Sequence, residues 1–484
     1  MSQHLPGAPS AYEAPLRIGT RVRLDSHAKF LDQQLLSGGS PWRLLRLPGG
    51  SAAVAARWQQ GGEVQAGEER FARTLVQQGL LHPLFDATTD VDDVDVVVPV
   101  LEEVGLLRAL LARLKGLHVT VVDDGSTNGA AMAQCAAEFD ATYIRIEVNG
   151  GPATARNAGA LLSSRPLLWF LDVDVELDDA RSVLYRLGEQ FADPLVAAVA
   201  PRIQGSNGTS MFERFEQRFS PLDMGERGGL VVPGAAVSYV PAACLLVRRE
   251  SFGEGFDETM RMGEDVDFVW RLHDHGWLIR YTPHVIALHR ARATMRQRWH
   301  QRVAYGASSG ELAKRHGRRM APLRADSWTL FAWATVLVGK PLMGGRVARV
   351  AHNRLQARFS ETTDDAELVA AELVGRGMIA AGGPLARALV RNFGVVVLAS
   401  ALHPKLRRRS LALFIIGTAW RWRRTRLYVT DIPFAIVDDL AYGVGIYKGA
   451  WESKTIGALK PHVTKSTLGL RDVLGLGSNS TKNK

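Results

Sequence analysis

Cysteine is scarce in this chain: 484 residues carry two, Cys135 and Cys244. Two isolated thiols supply neither a disulfide framework nor a cysteine metal cluster, and they favour a reducing, intracellular setting. An apolar leader is also missing, because Met1 to Ser10 is polar, so no signal peptide is expected. Long apolar runs are absent too. The stretches 328–338, 393–402 and 411–420 fall short of the ~20 residues a simple spanning helix needs. They suit buried core helices, interfacial helices with arginines 407–409 and 421–424 at headgroup level, or spans with less apolar flanks.

What is present is ordinary globular composition, 46% hydrophobic and 22% charged, with a formal charge of +10. That charge suits an anionic partner and does not choose between nucleic acid, lipid headgroups and a phosphorylated substrate.

The pattern divides the chain. Residues 1–15 are rich in Pro, Ala and Ser and read as disordered. A small unit follows over 16–88: a strand across 18–24, an apolar run around Leu35, a Gly38-Gly39 turn, and helical spacing through Phe71, Leu75, Leu80 and Leu81. The acidic stretch 86–93 reads as a linker. Over 93–300 strands and helices alternate: a strand at 94–98 stopped by Pro99, a helix at 101–114, strands at 118–122, 143–148 and 166–171, and a helix at 130–139. This predicts an α/β fold with a parallel sheet whose ligands bind beyond the strands' carboxyl ends. Residues 301–471 are basic and helical, and 472–484 form a polar tail.

The Asp-rich segments fall at those carboxyl ends. In Trp169-Phe170-Leu171-Asp172-Val173-Asp174, strand alternation predicts Asp172 and Asp174 on one side with Val173 in the core. Two hard oxygen donors there suit Mg²⁺ or Mn²⁺ that takes its remaining ligands from water and a substrate diphosphate. Two solvated aspartates opening a loop are the plainer alternative.

Five segments occur in fixed order: Val96-Val97-Val98-Pro99 with Glu102-Glu103; Asp123-Asp124-Gly125-Ser126-Thr127; Asn149-Gly150-Gly151-Pro152 running to Arg156-Asn157; Asp172-Val173-Asp174; and Gly263-Glu264-Asp265-Val266-Asp267. The set resembles the family 2 glycosyltransferases, inverting enzymes with the GT-A nucleotide-sugar-binding fold. The resemblance implies that Pro99, Glu103, Asp124 (ahead of Asp123), Arg156 and Asp172 meet the donor nucleotide-sugar. It implies that Asp172 and Asp174 hold the metal, and that Asp265, beside Glu264, removes the acceptor proton. His289 stands where some relatives place a histidine near the metal; an ordinary hydrogen-bonded histidine is the alternative, and His284 and His300 are its rivals. Processive members carry Gln, two variable residues, then Arg-Trp at the acceptor. Here Arg298 and Trp299 match while Met295 replaces the glutamine, so addition of a few sugars is expected rather than a long chain.

Segments 302–309, 312–316 and 438–443 resemble the mycofactocin-system glycosyltransferases, and Arg21-Val22-Arg23-Leu24 with residues 38–45 resembles a PqqD-like winged-helix domain that holds peptides. This implies UDP-glucose as donor and premycofactocin as acceptor, a redox cofactor made from a peptide's C-terminal Val-Tyr and decorated with a short β-1,4-glucose chain. It also implies a peptide or biosynthetic partner at the N-terminal domain. Cytoplasmic-side membrane association is expected from the basic, apolar C-terminal region. The competing readings are a cell-envelope polysaccharide or lipid acceptor, and a peptide- or nucleic-acid-binding module with an inert fold. Against a nucleic-acid partner, residues 16–88 show no dense Lys and Arg stripe.

Overall fold

A computed structural model describes residues 7–9, 14–86, 89–290, 294–361, 363–424 and 428–464. The ends expected to be disordered fall largely at 1–6, 10–13 and 465–484, outside the described residues. The chain forms two compact units, Met1–Ala293 and Thr294–Lys484.

In the first unit, strands β1 (Val94–Val100), β2 (His118–Asp123), β3 (Thr142–Arg145) and β4 (Leu167–Leu171) run parallel in the order β4-β1-β2-β3. All five residues of β4 are buried, the unbroken apolar run of a strand covered on both faces. Helices α1 (Val104–Arg113), α2 (Gly129–Ala137) and α3 (Pro152–Leu162) make the crossovers. Asn128 caps α2 by accepting from the Ala131 N–H, and Pro152 opens α3, where a missing N–H costs nothing. Strand β1 does not stop at Pro99. Its pairing with β4 ends at Val97, so Pro99, opposite Val122, lies where β2 is the recorded neighbour, a setting that tolerates proline.

The sheet is mixed rather than parallel throughout. Strands β5 (Val175–Glu176), β6 (Val196–Gly205), β7 (Gly229–Leu230), β8 (Cys244–Arg248) and β9 (Leu278–His289) extend it as β4-β8-β6-β9-β5, with β7 also on β9. Strand β8 is antiparallel to both β4 and β6. An antiparallel strand buried on both faces has the same apolar composition as a parallel one, so alternation past residue 171 does not reveal its direction.

The small N-terminal module has Arg21–Leu24 between Gly62–Glu63 and Leu81–Leu84, a meander of Lys29–Phe30, Leu35–Gly38 and Arg43–Arg46, and helices Gly49–Arg57 and Glu69–Gln77. The helical spacing expected to reach Leu81 ends at Gln77, and Leu81 instead begins a strand opposite Leu24. Nor do two cores flank an acidic linker. One apolar cluster runs from Leu16 and Trp58 through Val96 and Trp169 to Ala287. Arg73, 1% exposed, forks onto both oxygens of Asp193 at 2.8 and 2.9 Å and donates to the Ala14 carbonyl at 2.6 Å. Two of the four aspartates in 86–93 are in ion pairs: Asp86 with Arg21, and Asp92 with His118 at 3.1 Å.

The second unit is helical. Met295–His316 and Ile432–Glu452 approach so closely that a Cβ on Gly306 would lie 2.2 Å from the Tyr442 carbonyl oxygen, and one on Gly449 2.0 Å from that of Ala307. The three expected apolar stretches form Ser327–Leu337, Gly394–Ser400 and Arg407–Arg424. Ala366–Arg387, continued to Asn392 by a π-turn, is a further helix that no apolar run marks in the sequence. Its 27 residues are long and apolar enough, by length and composition only, to cross a membrane, with 33% of its apolar window buried. Small residues and interspersed charges such as Glu372 and Arg376 disguise it.

Candidate active site

Strand β4 ends at Leu171, and Asp172-Val173-Asp174 is a turn leading into β5, not the strand end that alternation assumes. The turn is pinned at both sides. The Asp172 N–H donates to the Ala243 carbonyl at 2.9 Å, and the Asp174 carbonyl accepts the Arg290 N–H at 3.0 Å. Val173 still packs against the core. Antiparallel pairing of β5 with the end of β9 sets Val175 opposite His289, whose Nε2 lies 3.1 Å from Asp174 Oδ2. Among the described residues no group of three or more His, Cys, Asp or Glu side chains stands together as a metal cluster. What stands here is the Asp174–His289 pair, with Asp172 two residues earlier in the same turn and paired instead with Arg156. Such a set fits Mg²⁺ or Mn²⁺ that draws its other ligands from phosphate and water, not a closed protein cage.

Arg156 projects from α3 into this region and is 4% exposed, so the expected reach to a base or phosphate is not what its side chain does. Nη2 donates to Asp172 Oδ1 at 2.7 Å and Nη1 to Glu264 Oε1 at 2.8 Å. The guanidinium also lies over Phe256, 5.4 Å from the ring centroid. Burial alone would lower its pKa, but Asp172 and Glu264 together raise it above the ordinary arginine value. Beneath this bridge Phe170, Phe252, Phe256 and Phe268 pack ring against ring and join β4 to helix α4 (Glu264–Asp274).

Asp265, partly exposed, is the second residue of that helix. Burial and then the adjacent Glu264 push its carboxyl up to about 7, against the pull of Arg156 and of the Val266 and Ala242 N–H groups. A carboxylate that titrates near neutrality can take a proton at physiological pH. Asp267, the third acid of the first turn, accepts from Arg271 Nε at 2.7 Å and supports the helix.

At the end of β2, Asp124 is buried and accepts the N–H groups of Gly150 and Gly151 at 2.7 and 2.8 Å. It therefore sets the turn that opens α3. Gly151, with φ of +94°, adopts a conformation that other residues resist. Asp123 is fully buried and takes Arg145, Tyr143 and the Ser126 N–H. Pro99 is half-buried in β1, and Glu103 is exposed, with its carbonyl accepting the Leu107 N–H. The residue tied to the 123–127 loop is instead Glu102, which the sequence reading did not assign. At φ of +64° its N–H donates to Ser126 Oγ at 2.9 Å, and its carboxylate accepts the Thr127 N–H at 2.6 Å. The Glu-Glu pair in the sequence does not say which of the two faces the loop.

Residues 95–256 match the family profile described as "Glycosyl transferase family 2". The chain is 35% identical over 472 residues to the pre-mycofactocin glycosyltransferase of Mycobacterium tuberculosis, an alignment covering 92% of this chain and 98% of that one. The chain belongs to the mycofactocin-system glycosyltransferases of family 2. It is also 30% identical to the succinoglycan biosynthesis protein ExoU of Rhizobium meliloti, over 35% of this chain and 52% of that protein. Among solved structures, a mannosyltransferase from Pyrobaculum calidifontis in complex with GDP-Man and Mn²⁺ aligns with 19% identity and a TM-score of 0.36, over 70% of this chain and 91% of that one.

The glycosyltransferase's expected acceptor residues lie in the second unit. Arg298 is 1% exposed, and its Nε donates to Asp438 Oδ1 at 2.7 Å. Arg302, one helical turn on, brings its Nε within 3.0 Å of the same oxygen. Arg298 is thus engaged by Asp438 rather than free to meet a diphosphate, because positions i and i+4 share the face turned to Ile432–Glu452. Two segments of the mycofactocin-type pattern, 302–309 and 438–443, meet in this pair. Trp299, beside it, is half-buried. His284 and His300 are both exposed, and partial desolvation, with Arg186 nearby, lowers the pKa of His284.

Proposed function

We propose that this glycosyltransferase transfers glucose from UDP-glucose to premycofactocin with inversion, and then adds a few further β-1,4-linked glucoses. The acceptor hydroxyl gives its proton to the Asp265 carboxylate while its oxygen bonds to the sugar's anomeric carbon. The bond from that carbon to the donor phosphate breaks, and its electron pair leaves with the diphosphate. Asp172, Asp174 and His289 would hold a divalent metal, which when bound supplies positive charge to the departing diphosphate. Asp124 and Arg156 shape the donor pocket by ordering the 149–156 segment and the metal turn. The observation that carries this reading is geometric: Arg156 ties the Asp172 turn to Glu264, the neighbour of Asp265, so the candidate base and the aspartate turn belong to one site. Near full-length similarity to the mycobacterial enzyme supports the acceptor.

The test follows nucleoside diphosphate release with several sugar nucleotides, with premycofactocin and a lipid acceptor offered in parallel. Turnover is expected with UDP-glucose and premycofactocin, and its loss is expected in EDTA and in Asp174→Ala, by about 10²–10³-fold. Full activity in EDTA or in the variant would remove the metal, and transfer to the lipid alone would replace the acceptor.

Association with the cytoplasmic face of the membrane belongs to the same proposal, with peripheral and integral attachment both open. Leu342, Leu402, Ile379, Ile415, Val396 and Ile416 in the second unit are all more than half exposed, an apolar surface that suits lipid. Release of the protein from membranes by mild detergent is the expected result. The PqqD-like resemblance supports a peptide partner at the N-terminal module, and nothing in the reading calls for nucleic acid.

A further inference from the structure

Arg156 is the point where the two halves of the site touch. Its two terminal nitrogens hold different carboxylates, Asp172 on the metal turn and Glu264 on the helix that carries Asp265. It is buried, and Phe256 lies under its plane. The two carboxylates differ in access: the side chain of Asp172 is 29% exposed and that of Glu264 8%. An incoming cation can therefore compete for Asp172, while Glu264 stays closed against Arg156. A planar fork suits such bridging, and a lysine ammonium cannot reproduce it.

We propose that Arg156 is a positioning residue, the shared internal counter-ion of Asp172 and Glu264, which compensates Asp172 before a metal arrives and turns toward Glu264 when the metal takes its place. The proposal rests on Asp172 as metal ligand and Asp265 as base. Its consequence is a link between the sites: occupation of the metal turn changes the charge beside Asp265. The charged groups acting on Asp265 are Glu264 from its own helix and Arg156 from α3, and the loop before β8 contributes the Ala242 N–H. Glu264 pushes the carboxyl up and Arg156 pulls it down.

Two readouts on Arg156→Gln, Arg156→Lys and Glu264→Gln test this. The first is Mn²⁺ binding to donor-free full-length protein, measured by electron paramagnetic resonance. Removing the competing guanidinium in Arg156→Gln is expected to tighten Mn²⁺ roughly tenfold, and Glu264→Gln, which leaves Arg156 to Asp172 alone, to weaken it. The second is the acidic limb of the turnover profile. It is expected to move about one pH unit upward in Arg156→Gln and downward in Glu264→Gln. Arg156→Lys, which keeps the charge and loses the fork, is expected to fall between wild type and Arg156→Gln in both. Thermal melting screens for folding, and if Arg156→Gln does not fold, the other two variants decide. Folded variants with unchanged Mn²⁺ affinity, or with limbs moving in the same direction, would overturn the proposal. An Asp265→Asn enzyme that turns over normally would remove the base reading alone, since the Mn²⁺ readout does not depend on it.

Discussion

In the first unit Arg156 lies between Asp172 and Glu264, and in the second Arg298 and Arg302 converge on Asp438. Both are buried arginine–carboxylate clusters with contacts of 2.7 to 3.0 Å. They differ in one respect. Asp172 keeps 29% of its side chain exposed, whereas Asp438 keeps 1%. An ion pair with one accessible partner can exchange that partner for a ligand. One closed on every side can only hold helices together, and its removal leaves a charge stranded in the interior. Access, more than the residue types, separates chemistry from architecture here.

The largest effect that would sharpen this contrast lies at Arg73 and the N-terminal module. Removing residues 1–88 uncovers Asp193 and part of the shared core, so the truncated chain is expected to be insoluble or to lose its cooperative transition. Arg73→Met alone is expected to cost about 3–5 kcal/mol in chemical denaturation. A soluble, donor-binding 89–484 fragment would restore the picture of two cores.

Next in size is Asp265→Asn, expected to lower turnover about 10²–10⁴-fold while donor binding holds, as read by calorimetry and steady-state kinetics. Donor affinity falling in step with rate would make Asp265 a binding residue. Wild-type turnover should fall tenfold per unit as pH drops below about 7, because the base must be ionised. The stability term has the opposite sense. The folded-state value of about 7 lies above the ordinary 3.8, so this group's contribution is complete below about pH 4 and is lost as pH rises through 7. Melting temperatures across that range would show it.

Asp438→Ala tests the closed cluster. It strands Arg298 and Arg302, and a loss of about 3–5 kcal/mol is expected in the second unit's unfolding. Near-wild-type stability would mean that the cluster is open to water. Smallest is Trp299→Ala, expected to shorten the glucose chain seen by mass spectrometry while the first addition changes little, since an aromatic face matters once a sugar is present. A folded variant with the wild-type distribution of products would take Trp299 out of the acceptor site.

Much of the α/β half could be read directly from the sequence, since β2, β4 and α2 lie within two residues of their expected bounds. Such elements are specified by local patterns: an apolar run, a cap, a proline. What escaped depends on tertiary partners. The direction of β8, the return of the chain at Leu81 as strand, and the pairing of Arg73 with Asp193, 120 residues away, leave no local trace. In the site, the carboxylates were identifiable as types at strand and helix ends. Their partners were not: Asp124 holding two glycine amides, Glu102 in place of Glu103, and Arg156 turned inward are all decided by which groups the fold brings within 3 Å.

One two-residue step in the loop before β8 carries more than its size suggests. The carbonyl of Ala243 holds Asp172 in place, and the N–H of Ala242 reaches Asp265. The diphosphate end and the proton-accepting end of the site are thus referenced to one short piece of backbone. For anyone re-engineering acceptor choice, this sets a cutting point. Ala242-Ala243 must pass from parent to chimera in unchanged register, because a shift of one residue there would misplace both ends together.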